Sequence, residues 1–166
     1  MAVRMAAKPI ETEWQLQLAA KLAPLDRSRA RRELSVLAAD AEDENLPRLA
    51  KFLGGKGAAQ EFLAAVFDLS PFLRDVARRR PQILDALFDD GVEARLASIS
   101  HAIGTAAFTD AVSESSLMME LRQWKGEAHF LIALADLSGE ADAALTVRRL
   151  SNLADTCTRA AVDFLL

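Results

Sequence analysis

The residues able to do chemistry are few and scattered. The chain has one cysteine, Cys157, and two histidines, His101 and His129. A metal site needs ligands gathered at helical or loop spacing, and none of these three lies within a few residues of another. Nucleophilic catalysis needs a thiol or hydroxyl with a base and an orienting acid. Cys157 falls instead on an apolar seam, where a buried structural thiol is expected. His129 follows the seam position Ala128 and precedes Phe130. It reads as a half-buried, hydrogen-bonded histidine, and His101 reads alike. Two-metal chemistry calls for carboxylates at Asp-x-Asp spacing or brought together by a strand and turn. No Asp-x-Asp occurs. Asp40-Ala41-Glu42 and Glu140-Ala141-Asp142 come nearest. Both sit at helix ends, and the helix dipole explains an acidic pair near an N-terminus without chemistry. Asp89-Asp90-Gly91 is a turn signal.

Three further features invite a binding role. Gly54, Gly55 and Gly57 could suggest a phosphate loop, but they follow a helix rather than a strand and lack the Gly-Lys-Ser/Thr ending. They read as a C-cap and turn. Arg27, Arg29, Arg31 and Arg32 form the one dense basic run. A solvated helix face is the favoured reading, and a phosphate- or acid-binding patch the alternative. Trp14 and Trp124 fall on apolar seams and read as core aromatics. No catalytic, cofactor-binding or metal-binding residue is assigned.

The elements that carry these residues are helices. The apolar content, 51% of the chain, is mainly Ala and Leu, both good helix formers. Ile10, Trp14, Leu18 and Leu22 predict a first amphipathic helix stopped near Pro24. A second runs from an N-cap at Asp26 to Ala41, with Leu34, Leu37 and Ala41 buried. The acidic stretch 40–44 is a turn or a frayed end. Leu46–Leu53 is short, with Pro47 in its first turn. Phe62, Leu63, Val66 and Phe67 face inward on the next. Ser70 then caps a helix with Pro71 at its first position; Phe72, Leu73 and Val76 point one way, and Arg74, Arg78 and Arg79 point to solvent. Pro81 starts a helix ended by Asp90-Gly91. Residues 92–112 form another, which Gly104 and Thr105 could interrupt. The clearest follows a serine cap among Ser113, Ser115 and Ser116, with Leu117, Leu121, Trp124, Ala128, Leu131 and Ala135 on one seam. Gly126 within it suggests close helix packing. It ends at Ser138-Gly139. The last helix covers 141–166, with Val147, Leu150, Leu153, Cys157, Ala161 and Phe164 inward.

The expected fold is therefore all-α: an irregular bundle of about seven to nine helices, the last two long, antiparallel and joined by a short connection. Residues 1–166 read as one helical unit. Within it, 1–45 are less sharply patterned than 46–166. The net charge of -4 gives no basic excess for nucleic acid. No run approaches the roughly 20 apolar residues of a membrane span. One cysteine excludes an internal disulfide, and a reducing cytoplasm is the expected compartment.

Several segments together carry a resemblance. Leu69-Ser70-Pro71-Phe72-Leu73 and Arg80-Pro81-Gln82-Ile83-Leu84 resemble a stretch near the start of the glutamine synthetase adenylyltransferase/deadenylylase family. Leu121-Arg122-Gln123-Trp124-Lys125 and Ile132 through Gly139 resemble one of its later helices, and Leu153 through Leu165 the helix before its first nucleotidyltransferase core. The similarity covers 46–166. It implies the N-terminal helical part of a bifunctional enzyme of nitrogen-assimilation control that supports the adjacent core and is inactive alone. For the parent it implies ATP and magnesium as cofactors. As partners it implies the catalytic core, glutamine synthetase and a nitrogen-regulatory signal protein. The bare residues equally allow an independent helical interaction module. An apolar C-terminal end predicts a homodimer of the isolated chain.

Overall fold

A computed structural model describes residues 16–18, 21–106 and 113–166. Among them are eight α-helices and no strand. Helix α1 (Arg27–Asp43) begins where Asp26 caps it: the carboxylate accepts from the Ser28 and Arg29 amides at 2.8 and 3.0 Å. Ala30, Leu34, Leu37 and Ala41 form its buried stripe, at the spacing a helix needs to turn one face inward. The stretch from Asp40 stays helical to Asp43, and the chain then turns through Asn45 at φ 58°. Asparagine tolerates this left-handed conformation better than most residues.

Helix α2 (Pro47–Leu53) places proline in its first turn, where the missing N–H costs no bond. Helix α3 (Ala58–Leu69) buries every residue from Phe62 to Asp68. Ser70 ends α3 and caps helix α4 (Pro71–Arg79), its hydroxyl accepting from Leu73 N–H at 3.3 Å. Helix α5 (Gln82–Asp85) passes into a 3₁₀ turn (Ala86–Phe88). Helix α6 (Val92–Ala106) runs through Gly104 and Thr105 without interruption. Thr105 Oγ1 bonds back to the His101 carbonyl at 3.0 Å. The expected extension to Val112 lies outside the described residues.

Helix α7 (Glu114–Ser138) is capped by Ser113 and closed by Gly139 in the left-handed region at φ 77°. Asp142 caps helix α8 (Ala143–Leu165) through Leu145 N–H at 2.7 Å. Helices α2, α3 and α4 pack around α1; α6, α7 and α8 pack pairwise; and α4 against α7 joins the two groups. One apolar cluster runs through both groups, with Phe67, Leu63, Phe130 and Leu134 among its fully buried members.

Four expectations are corrected. Residues 16–18 and 21–24 are not helical, so the first predicted helix fails where it is described; Ile10 and Trp14 lie outside the described residues. Leu16, which that helix pattern did not use, is buried, and it lies in a described stretch without helix. Phe72 is 55% exposed while Leu73 and Ala77 face inward, a rotation of α4 set by its contacts with α1 and α3. Val147 and Leu150 on α8 are exposed, and only Leu153 and Ala160 are buried. A Cβ built at Gly126 meets nothing within 4 Å, so that glycine is not required by close packing.

Candidate functional site

Cys157 and His129 come nearest to a nucleophile and base. Both lie close enough to Lys125 to feel its charge. Their electrostatics oppose activation. Burial pushes the Cys157 thiol above its ordinary value, more than Lys125 lowers it. A reactive cysteine needs the reverse, since the thiolate is the nucleophile. Burial, aided by Lys125, lowers His129. The histidine is neutral at pH 7, as a core-facing imidazole should be. His101 is exposed rather than half-buried, because α6 turns Ile99 and Ile103 inward instead. Trp124 is half-buried against the apolar cluster, as its seam position predicts.

The carboxylates and arginines form separate ion clusters between helices. Asp68 on α3 has a fully buried side chain that accepts from Leu25 N–H at 2.7 Å, from Asp26 N–H at 3.0 Å and from Arg29 Nε. Arg29, followed by these amides, holds its carboxyl below the usual range, outweighing burial. A buried carboxylate survives only with such donors. Glu127 on α7 is likewise buried and takes Arg80 at 3.1 Å and Arg95 on its other oxygen. Arg48 reaches Asp85 at 2.9 Å and Asp89 at 2.7 Å, and its guanidinium lies 4.8 Å from the Phe88 ring centre. Phe52 meets Phe88 edge-on at 5.1 Å. Arg78 pairs with Asp40 at 2.8 Å and Arg74 with Glu33 at 3.7 Å. Arg74 and Arg78, expected to point to solvent, therefore tie α4 to α1. Each cluster pairs opposite charges and bridges elements that pack together, which is structural work.

Asp40 is thus an ion-pair partner and Asp142 a cap, so neither near-pair of carboxylates gathers toward a metal. Among the described residues no group of three His, Cys, Asp or Glu side chains could hold an ion. No helix among them is long and apolar enough to cross a membrane.

A roomy cleft of about 490 Å³ lies between the start of α1, the loop 54–57 and the start of α3. Arg27, Arg31 and Lys56 line it with Glu61, above an aliphatic floor that includes Leu22, Leu34 and Leu53. Gly54 caps α2 with φ −72°, in the right-handed region. Gly55 and Gly57 pack against the Gln60 amide, whose Nε2 donates to Phe52 O at 2.8 Å. A Cβ at Gly57 would sit 2.9 Å from Gln60 Oε1. The glycines are a turn, as their position after a helix predicts. The cleft was not legible, because it needs α1 laid beside a loop twenty-odd residues away. Asp68 and Glu127 were missed as well: the one follows an apolar run and the other stands just ahead of one, where pattern alone marks no special acid. The basic run divides in the structure. Arg29 belongs to Asp68, Arg32 is exposed, and Arg27 and Arg31 face the cleft.

Residues 60–166 match the family model described as glutamate-ammonia ligase adenylyltransferase. A bifunctional glutamine synthetase adenylyltransferase/adenylyl-removing enzyme of Mesorhizobium japonicum is 71% identical over 160 residues, 96% of this chain and 16% of the relative. Proteins of the same description are 46% identical over 145 residues in Brucella suis and 37% over 147 in Rhizobium meliloti. These cover 87% and 86% of this chain, and 15% of each relative. The chain thus spans about one sixth of the length of the relatives it matches. No solved structure matches it.

Proposed function

Because the chain belongs to the glutamate-ammonia ligase adenylyltransferase family, we propose that it is the helical, non-catalytic support of an enzyme that adds AMP to glutamine synthetase and removes it. The observation that carries this reading is the use of its charged groups. Asp68, Glu127, Asp85 and Asp89 each hold arginines across helix contacts. Nucleotidyl transfer runs on metal-held carboxylates and positioned phosphates. In the parent that chemistry, with its ATP and magnesium, belongs to other parts of the chain.

The support acts through α8. Val147, Leu150, Ala154, Ala161 and Leu165 recur at helical intervals along the flank beside Leu153 and Ala160. Val147 is 62% and Leu165 75% exposed. An apolar helix face of this length seeks cover, and the parent's catalytic core is the cover proposed. We read residues 1–166 as one helical unit, with α7 and α8 an antiparallel pair fastened by Thr146 Oγ1 donating to Asp136 at 2.9 Å. Glutamine synthetase and a nitrogen-regulatory signal protein are partners of the parent in the cytoplasm. In isolation the chain uses the same α8 face to pair with a second copy.

The test is to supply purified chain with glutamine synthetase, its adenylylated form, ATP, phosphate and magnesium. No AMP transfer or removal is expected. Adding the parent's remaining portion as a separate polypeptide should give a complex that Val147→Glu with Leu150→Glu dissolves. Activity of the chain alone would overturn the support reading; a complex indifferent to those substitutions would overturn the role of α8.

A further inference from the structure

We propose that the cleft between α1, the loop 54–57 and α3 binds a small organic phosphate, with Arg27, Arg31 and Lys56 as its anion clamp. The cleft's volume of about 490 Å³ lies within the usual range for small-molecule pockets, about 300–1,000 Å³. Its charge is unbalanced: three cations face one acid, Glu61. Seven arginines outside the cleft, Arg29, Arg48, Arg74, Arg78, Arg80, Arg95 and Arg149, meet carboxylates. Arg27, Arg31 and Lys56 take no carboxylate among the described residues, and all three line the same cleft.

Their placement also runs against the stability of α1. Arg27 stands at the first position of that helix, whose first turn holds no acid beyond the capping Asp26 carboxylate just before it, and the positive end of the helix dipole disfavours a cation there. Arg27 and Arg31 are one turn apart, where like charges repel. Groups set against their local electrostatics are expected where function requires them. A phosphate dianion would reverse both effects. Guanidinium forks match its oxygens in pairs, and Lys56 adds a point charge from the opposite wall. Lys56 is held there because Gln60 clasps its loop to Phe52. The aliphatic floor suits a carbon body and offers no aromatic ring for a base to stack on.

The test uses hexyl phosphate, inorganic phosphate and hexanol as probes of the 166-residue chain, titrated calorimetrically at low and moderate salt. Hexyl phosphate is expected to bind at least tenfold more tightly than inorganic phosphate, hexanol not at all, and binding should weaken as salt rises. Arg27→Gln with Arg31→Gln should lose tenfold or more, Lys56→Gln less, and Arg122→Gln on the exposed side of α7 nothing. Without ligand, the double variant should melt at the same temperature or slightly higher, since it removes repulsion. A lowered melting temperature would assign the two arginines to structure and overturn the proposal. So would undiminished binding by the double variant. Preference for inorganic phosphate over hexyl phosphate would show a surface charge effect only, and tighter binding of an acidic peptide would show a protein-docking patch; either overturns it.

Discussion

Helices α3 and α8 solve opposite problems. Helix α3 buries seven consecutive residues of its twelve, one of them an aspartate, because α1 and α4 cover it from two sides. Helix α8 buries two of twenty-three. Helices α6 and α7 cover one of its sides, and its apolar arc continues past them. Where a helix is enclosed, even its charge must be provided with donors. Where a helix is half covered, apolar side chains that periodicity marks as core stand in the open. The contrast separates residues that fix this fold from residues awaiting a neighbour.

The largest expected effect comes from opening the enclosed side. Phe67→Ala should cost roughly 3–5 kcal/mol, the range for a buried aromatic cut to alanine, read by urea denaturation. Glu127→Ala should cost less, about 1–3 kcal/mol, because it leaves the half-exposed Arg80 and Arg95 without their shared carboxylate. If either loss falls under 1 kcal/mol, the enclosed region is looser than described. Asp68 gives the contrast a pH signature. Its folded carboxyl titrates below the unfolded value of about 3.9. Its stabilisation is therefore fully present above about pH 4 and lost as pH falls through the folded value. Asp68→Asn should flatten the acid side of the stability profile and leave its shape near neutrality unchanged.

On the open side, Leu150→Ala should change monomer stability by no more than about 0.5 kcal/mol. Light scattering during size-exclusion chromatography should show a dimer at micromolar concentration that Val147→Glu with Leu150→Glu converts to monomer. A dimer that persists would move the contact off α8. Gly126→Ala sharpens the picture from within α7. With nothing within 4 Å of the added methyl, it should raise stability by up to about 1 kcal/mol. The smallest effect concerns Cys157: its raised thiol should react with iodoacetamide at pH 7 more slowly than a free cysteine does, by mass spectrometry.

Local chemistry made much of this fold legible. Asp26, Ser70 with Pro71, Ser113, Gly139 and Asp142 all mark helix ends through bonds between near neighbours in the chain. Periodicity placed Leu34, Leu37, Leu117, Leu131 and Ala135 inward. It misplaced Val147, Leu150 and Phe72, because a repeat shows which side chains are apolar and not how much of the arc a neighbour covers. Leu16, Leu18 and Leu22 contact the core from described stretches that are not helical, so a leucine repeat there imitates a helix. Asp68 and the cleft depend on residues about forty and twenty-five positions apart, a separation at which no spacing rule operates.

Two of the three donors to Asp68 are main-chain amides, those of Leu25 and Asp26. Amides are the same whatever side chain they carry. Residue 25 can therefore drift through nineteen amino acids while keeping its bond to the buried carboxylate. Only proline, which has no N–H, would break it. A lineage could rewrite the approach to α1 and leave the anchor intact, provided that one imino acid stays out.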